Sequence, residues 1–159
     1  MGRRRSGRDP ADHHTLDLLA DWQPRDPVER FAPATTQAAN LRDRIALAVS
    51  ATLKECGRPR EEIAQAMSTY LGERVSKDML DKYASQGSEG HTIPAHRQIA
   101  LCKVTGDARL MQLGAEEVGR DCVDQHFKPW IEVGQLADVK AEVDRAYELA
   151  RRMARRAGR

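Results

Sequence analysis

The stretch from Arg74 to Gln86, RVSKDMLDKYASQ, carries most of the side chains with recognisable chemistry. Lys77, Asp78, Asp81, Lys82 and Ser85 leave a helix on the side away from Met79, Leu80 and Tyr83, and Lys77, Lys82, Ser85 and Gln86 are its candidate contacts. Side chains of these types on one helix face suit contacts in a major groove, with Arg74 and Ser76 at the helix start reaching phosphates. Two clusters of arginine, Arg3, Arg4 and Arg5 at one end and Arg151, Arg152, Arg155 and Arg156 at the other, add charge without pattern. Such charge supplies sequence-independent attraction to a phosphate backbone.

Catalytic and metal chemistry leave no comparable trace. The glycines fall into neither a G-x-x-x-x-G-K-[ST] nor a G-x-G-x-x-G pattern, and no H-E-x-x-H or G-x-S-x-G occurs. Glu61-Glu62 and Glu116-Glu117 are adjacent, and neighbouring helix positions point roughly 100° apart, so neither pair shares a site. His13-His14 lacks the spacing of a ligand set, and His91, His96 and His126 have no partner in sequence. The expectation is a protein that is not an enzyme and takes no metal or cofactor.

The outer face needs two helices to hold it. From Arg60 to Gln86 the sequence predicts a pair joined by a turn. Ile63, Met67, Tyr70 and Leu71 form the buried stripe of the first, with Ala64 and Ala66 beside them. Gly72 closes it, Ser76 caps the second, and Met79, Leu80 and Tyr83 form the second stripe. Small residues in the first helix and a capped second helix are the pattern of a helix-turn-helix. The connection STYLGERVS is longer than the turn of the compact motif.

Around this pair the sequence predicts a compact all-α, repressor-like bundle. Leu41, Ile45, Ala48, Val49, Thr52, Leu53 and Cys56 make one continuous face, with Asn40 as cap and Gly57 as stop. Pro59 opens the next helix. After the Gly/Ser-rich loop ASQGSEGH, Pro94 opens a fourth helix with Ile93, Ile99, Ala100, Cys102 and Val104 as its apolar residues. Asp107 caps a fifth, in which Leu110, Met111, Ala115 and Val118 are expected to face inward. VDQHFKPWIEV reads as an irregular connector whose Phe127 and Trp130 pin it to the body.

The last segment differs in kind. Leu136, Val139, Val143, Ala146, Ala150, Met153 and Ala157 recur at steps of 3 and 4, a heptad seam on a long C-terminal helix. It predicts a homo-oligomer, a dimer in first place. Three parts follow: a flexible basic segment over 1–35, the helical domain over 36–132, and an oligomerisation helix with a basic tail over 133–159.

Of the 159 residues, 31% are charged and only 4% aromatic, so the core rests on aliphatic residues. Net charge is +2; residues 1–8 and 140–159 each carry +4, which leaves the middle at −6. Between residues 60 and 86 there are four basic and five acidic side chains. Basic ends on an acidic body divide the expectations between DNA and a protein partner. Cys56, Cys102 and Cys122 are odd in number and far apart, as in a reduced, cytosolic protein. No apolar run approaches a bilayer span, and no membrane partner is expected.

The run from LRDRIALAVS through DKYASQ, followed by H-x-I-P-x-x-R and TGDARL, resembles small helix-turn-helix proteins encoded in Mu-like transposable phages and prophages. The resemblance covers roughly residues 20–120 and includes DWQPRDPVERF from Asp21 to Phe31, while TGDARLMQLGAEEVG looks like the closing helix of phage regulators of the CII type. It implies a phage-encoded DNA-binding regulator in the bacterial cytoplasm. Asp78 and Asp81 on the reading helix depart from a typical repressor.

The leading expectation is therefore a helix-turn-helix protein that binds double-stranded DNA and regulates transcription, or that organises DNA in transposition or replication. Two rivals stand beside it. One is an adaptor of the same fold that binds a phage or host protein through its acidic body. The other is an oligomeric DNA-recognition subunit of a packaging machine.

Overall fold

A computed structural model describes residues 26–88 and 90–158. The side chains Arg3, Arg4, Arg5, His13 and His14, and the apolar piece from Leu16 to Trp22, lie outside the described residues. Within them are six α-helices and no strand: α1 (Leu41–Glu55), α2 (Arg60–Leu71), α3 (Lys77–Tyr83), α4 (Ala95–Thr105), α5 (Arg109–Glu116) and α6 (Lys128–Ala157). Short 3-10 turns over Pro33–Thr35 and Gln125–Phe127 precede α1 and α6.

The first five helices surround one core. α1 crosses the middle and buries Ala48, Val49, Ala51 and Leu53. α2 adds Ile63, Ala64 and Met67, α3 adds Leu80 and Tyr83, α4 adds Ala100 and Leu101, and α5 adds Leu110 and Leu113. α2 packs against both α3 and α4, and α5 closes the bundle against α1 and α4. Three of the expected helix ends are made by the expected side chains, while α5 has Ala108 and not Asp107 at its N-cap, with no side-chain cap. Asn40 accepts a hydrogen bond from the Asp43 amide at 2.9 Å and so caps α1, and Ser76 accepts from the Met79 amide at 3.2 Å and caps α3. Gly72 ends α2 at φ 68°, a left-handed conformation in which a Cβ is strained even though open space surrounds it here.

Several inward assignments shift. Leu41 is exposed, Tyr70 is 53% exposed and Ile99 is exposed, while Leu101 is fully buried. In α5, Met111 faces solvent, and Leu113 with the amide of Gln112 takes the inner positions; Val118 lies past the helix end in an exposed turn, at 72%. Within the helices each error has one cause. A helix that touches the core along a narrow line buries only part of an apolar stripe, and only the crossing angle decides which part.

Gln112 is satisfied despite its burial. Its amide nitrogen donates to Glu116 at 2.9 Å and Asp121 at 2.8 Å, and its oxygen accepts from the Cys122 amide at 2.6 Å. Arg30 reaches the same cluster, at 2.8 Å from Asp121 and 3.1 Å from Glu116. Next to it, Phe31 is buried in the core with the Arg109 guanidinium 4.4 Å above its ring. Arg30 and Phe31 thus join the packed body, so the flexible reading of 1–35 does not hold around them, and residues 1–25 lie outside the described residues.

The second correction concerns α6. It begins at Lys128, so the second half of the stretch read as an irregular connector is already α-helical, after a 3-10 turn. Its 30 residues span about 45 Å at 1.5 Å per residue, and none is buried. Trp130 does not pin the helix to the body, being 70% exposed; of the two aromatics only Phe127 is half-buried.

Candidate functional site

The α2–turn–α3 unit holds the residues singled out between Arg74 and Gln86. The link is residues 72–76, shorter than STYLGERVS suggests because Ser68 to Leu71 are the last turn of α2. Val75 is buried in the core and acts as the plug of the turn. Ser68 ties that plug to α2: its hydroxyl oxygen accepts from the Val75 amide at 2.9 Å and lies 2.8 Å from the Ala64 carbonyl that takes its proton. Neither role was legible in the sequence, where Ser68 and Val75 both read as parts of the connection.

α3 is seven residues long, about 10 Å, and lies on the core through Met79, Leu80 and Tyr83. Its underside is braced from α4. Arg97 donates to the Tyr83 hydroxyl at 2.5 Å and to Glu73 at 2.8 Å, and His96 meets the same Glu73 oxygen at 3.2 Å. The hydrogen bond from Arg97 holds the Glu73 carboxyl below the usual carboxylate range. One arginine therefore fixes both the turn and the C-terminal end of α3. The only sequence signal for it was its place in H-x-I-P-x-x-R.

On the outer side, Lys77, Asp78, Lys82, Ser85 and Gln86 are exposed, as is Arg74 in the turn. They do not form a uniformly cationic face. The Lys77 amine lies 3.6 Å from Glu61 and 4.0 Å from Asp81, and Asp81 also pairs with Arg60. Arg74 and Lys82 have no carboxylate within ion-pair distance among the described residues. Ser76 keeps its hydroxyl proton while its oxygen caps α3. An open groove of about 530 Å³ runs beside the turn, bounded by Gln65, Thr69, Arg74, Ser76 and Lys77.

The C-terminal cations lie elsewhere. Arg151, Arg152, Arg155 and Arg156 are exposed near the end of α6, with Arg151 3.4 Å from Glu148. Residue 151 is about 35 Å along α6 from its start at Lys128. They are therefore not part of the α3 face. The residues expected to mediate oligomerisation, Leu136, Val139, Val143, Ala146, Ala150 and Met153, all lie on α6 and are all exposed.

A second cluster is structural. Asp107 accepts from the Arg109 guanidinium at 2.7 and 2.9 Å, from the Arg109 amide at 3.0 Å and from Thr52 at 3.1 Å. Arg109 reaches on to Glu55 at 2.7 Å. These groups join α1 to the α4–α5 corner and account for the charged residues of TGDARL. Among the described residues, no three of His, Cys, Asp and Glu converge as a metal site would need, and no helix is long and apolar enough to cross a membrane. Comparison of the chain with protein-family models, with curated proteins and with solved structures gives no match.

Proposed function

We propose that α2, the Gly72–Ser76 turn and α3 form a helix-turn-helix, and that the protein binds double-stranded DNA as a phage-derived regulator in a bacterial cytoplasm. Regulation of transcription is the first role, and DNA organisation in transposition or replication the second. The observation that carries the reading is the mounting of α3. It is capped by Ser76, plugged by Val75 and braced by Arg97; its free side holds Lys82, and Ser85 and Gln86, expected on the helix, follow it in the exposed turn after Tyr83 because α3 stops there. A short helix held rigidly on one side and open on the other is what major-groove entry requires. Lys77, Lys82, Ser85 and Gln86 would meet the groove, and Arg74 and Ser76 the phosphates beside it. Arg3, Arg4, Arg5 and the arginines of α6 would add the sequence-independent attraction.

One observation favours a protein partner instead. Lys77 and Arg60 are taken up by Glu61 and Asp81, so half of the local positive charge is already neutralised. Fluorescence anisotropy of a labelled duplex with the full chain separates the two readings. Binding at low salt that weakens when Lys82 and Gln86 are replaced by alanine supports groove contact. No binding at 50 mM salt overturns the DNA reading and leaves the adaptor reading in first place.

A further inference from the structure

We propose that α6 pairs with α6 of a second copy of this chain, and that the two helices run antiparallel. This does not depend on the DNA reading. The seam residues Leu136, Val139, Val143 and Met153 are 57–68% exposed, and among the described residues none of α6 is buried. A helix of this length that keeps an apolar heptad stripe in water has that stripe covered in its working state.

Three features point to a second copy in this orientation. The first is size. In a parallel pair each seam residue faces itself, so Ala146 and Ala150 would form two consecutive thin layers between wider valine and methionine layers. Turned antiparallel, Leu136 faces Met153, Val139 faces Ala150 and Val143 faces Ala146, and the same three pairings repeat by symmetry. Every central layer then joins one valine to one alanine, which keeps the helices at an even separation and avoids voids.

The second is charge. Residues 128–144 hold two lysines and four carboxylates, a net −2, while residues 145–157 hold five arginines and one carboxylate, a net +4. An antiparallel pair sets each arginine-rich half beside the partner's acidic half. A parallel pair would bring all the arginines of both chains to one end. The third is the placing of those arginines. Arg152 and Arg155 stand on the side of the helix away from the seam, so pairing leaves them open to solvent.

The arrangement has a consequence for the bodies. Each is attached at Lys128, and the matched layers put the partner's Lys128 beyond the far end of α6. The attachment points are then about 50 Å apart along the rod at 1.5 Å per residue. Half-sites one helical turn apart need about 34 Å between equivalent points. Such a dimer spans more widely separated sites, or two duplexes.

The test uses the full chain with Leu136→Cys and Met153→Cys together, oxidised, with the linked peptides mapped by mass spectrometry. A bond between residue 136 of one copy and 153 of the other is expected. In a parallel pair these positions lie about 25 Å apart, far beyond the reach of a disulfide. Links of 136 to 136 and 153 to 153 alone would overturn the orientation. Sedimentation of the unmodified chain should give a dimer at micromolar concentration; a monomer or a larger ring would overturn the pairing. Val143→Asp should raise the dimer dissociation constant by at least about 100-fold, since it puts a charge into two apolar layers. It should leave the body folded, as α6 buries no residue there, and an unchanged mass would also overturn the proposal.

Discussion

Under the proposed DNA binding, replacing Arg151, Arg152, Arg155 and Arg156 by alanine should flatten its salt dependence far more than any change on α3. The structure sets the sizes. All four arginines are exposed, and among the described residues only Arg151 has a carboxylate nearby, Glu148 at 3.4 Å. On the reading side Lys77 is engaged by Glu61 and Asp81, which leaves Arg74 and Lys82 free for phosphate. Each phosphate neutralised contributes about 0.9 to the slope of log K against log salt, so four arginines account for up to about 3.6 and Lys82 for about 0.9. Between 50 and 200 mM salt that is a factor of about 150 against about 3.5. Alanine keeps the helix, so the comparison measures charge and not unfolding. The assay is anisotropy of a labelled nonspecific duplex across a salt series with the full chain. A fourfold variant whose slope matches the unmodified protein would refute the division of labour, and so would a Lys82→Ala slope that falls as far as the fourfold one.

Three further outcomes follow from the same geometry. Ser76→Ala removes the cap of α3 and should cost about 1 kcal/mol in chemical denaturation, with faster amide exchange at Met79; unchanged exchange there would contradict the cap. Asp107 is subject to burial, which disfavours its charge, but hydrogen bonds from Arg109 and Thr52 outweigh this and hold its pKa below the usual carboxylate value. Its stabilising contribution is therefore present above about pH 4 and lost as the pH falls through the lowered value. Denaturant midpoints should drop on acidification, and Asp107→Asn should be weaker at pH 7 with a shallower acid loss; an equal acid loss would assign the effect elsewhere. Burial pushes the Cys102 thiol up to about 11, while Cys122 is exposed, so alkylation at pH 7.5 followed by mass spectrometry should label Cys122 well before Cys102. Equal rates would show that α4 opens readily.

Local signals in the sequence were enough for the parts of the fold that local chemistry decides. Asn40, Gly72 and Ser76 act within a few residues of themselves, so their effect on helix ends could be read directly. The all-α class followed from apolar periodicity, and the long C-terminal helix from a stripe kept over three heptads. The start of α6 was misplaced because Pro129 and Gly134 look like punctuation, although proline is well tolerated in a first helical turn.

What the tertiary structure decided were contacts between residues far apart in the chain. Tyr70 and Ile99 belong to apolar stripes yet face water, because the neighbouring helices cross elsewhere, and Val118 faces water because α5 stops before it. Arg97 reads as an ordinary surface cation, but its guanidinium lies between Glu73 and Tyr83, 24 and 14 residues away. Lys77 reads as a free contact, but Glu61 on the preceding helix comes within 3.6 Å of it. Periodicity reports which side of a helix is apolar. Which carboxylate meets which cation depends on how helices are placed against one another, and this sets the charge that the face of α3 offers to any partner.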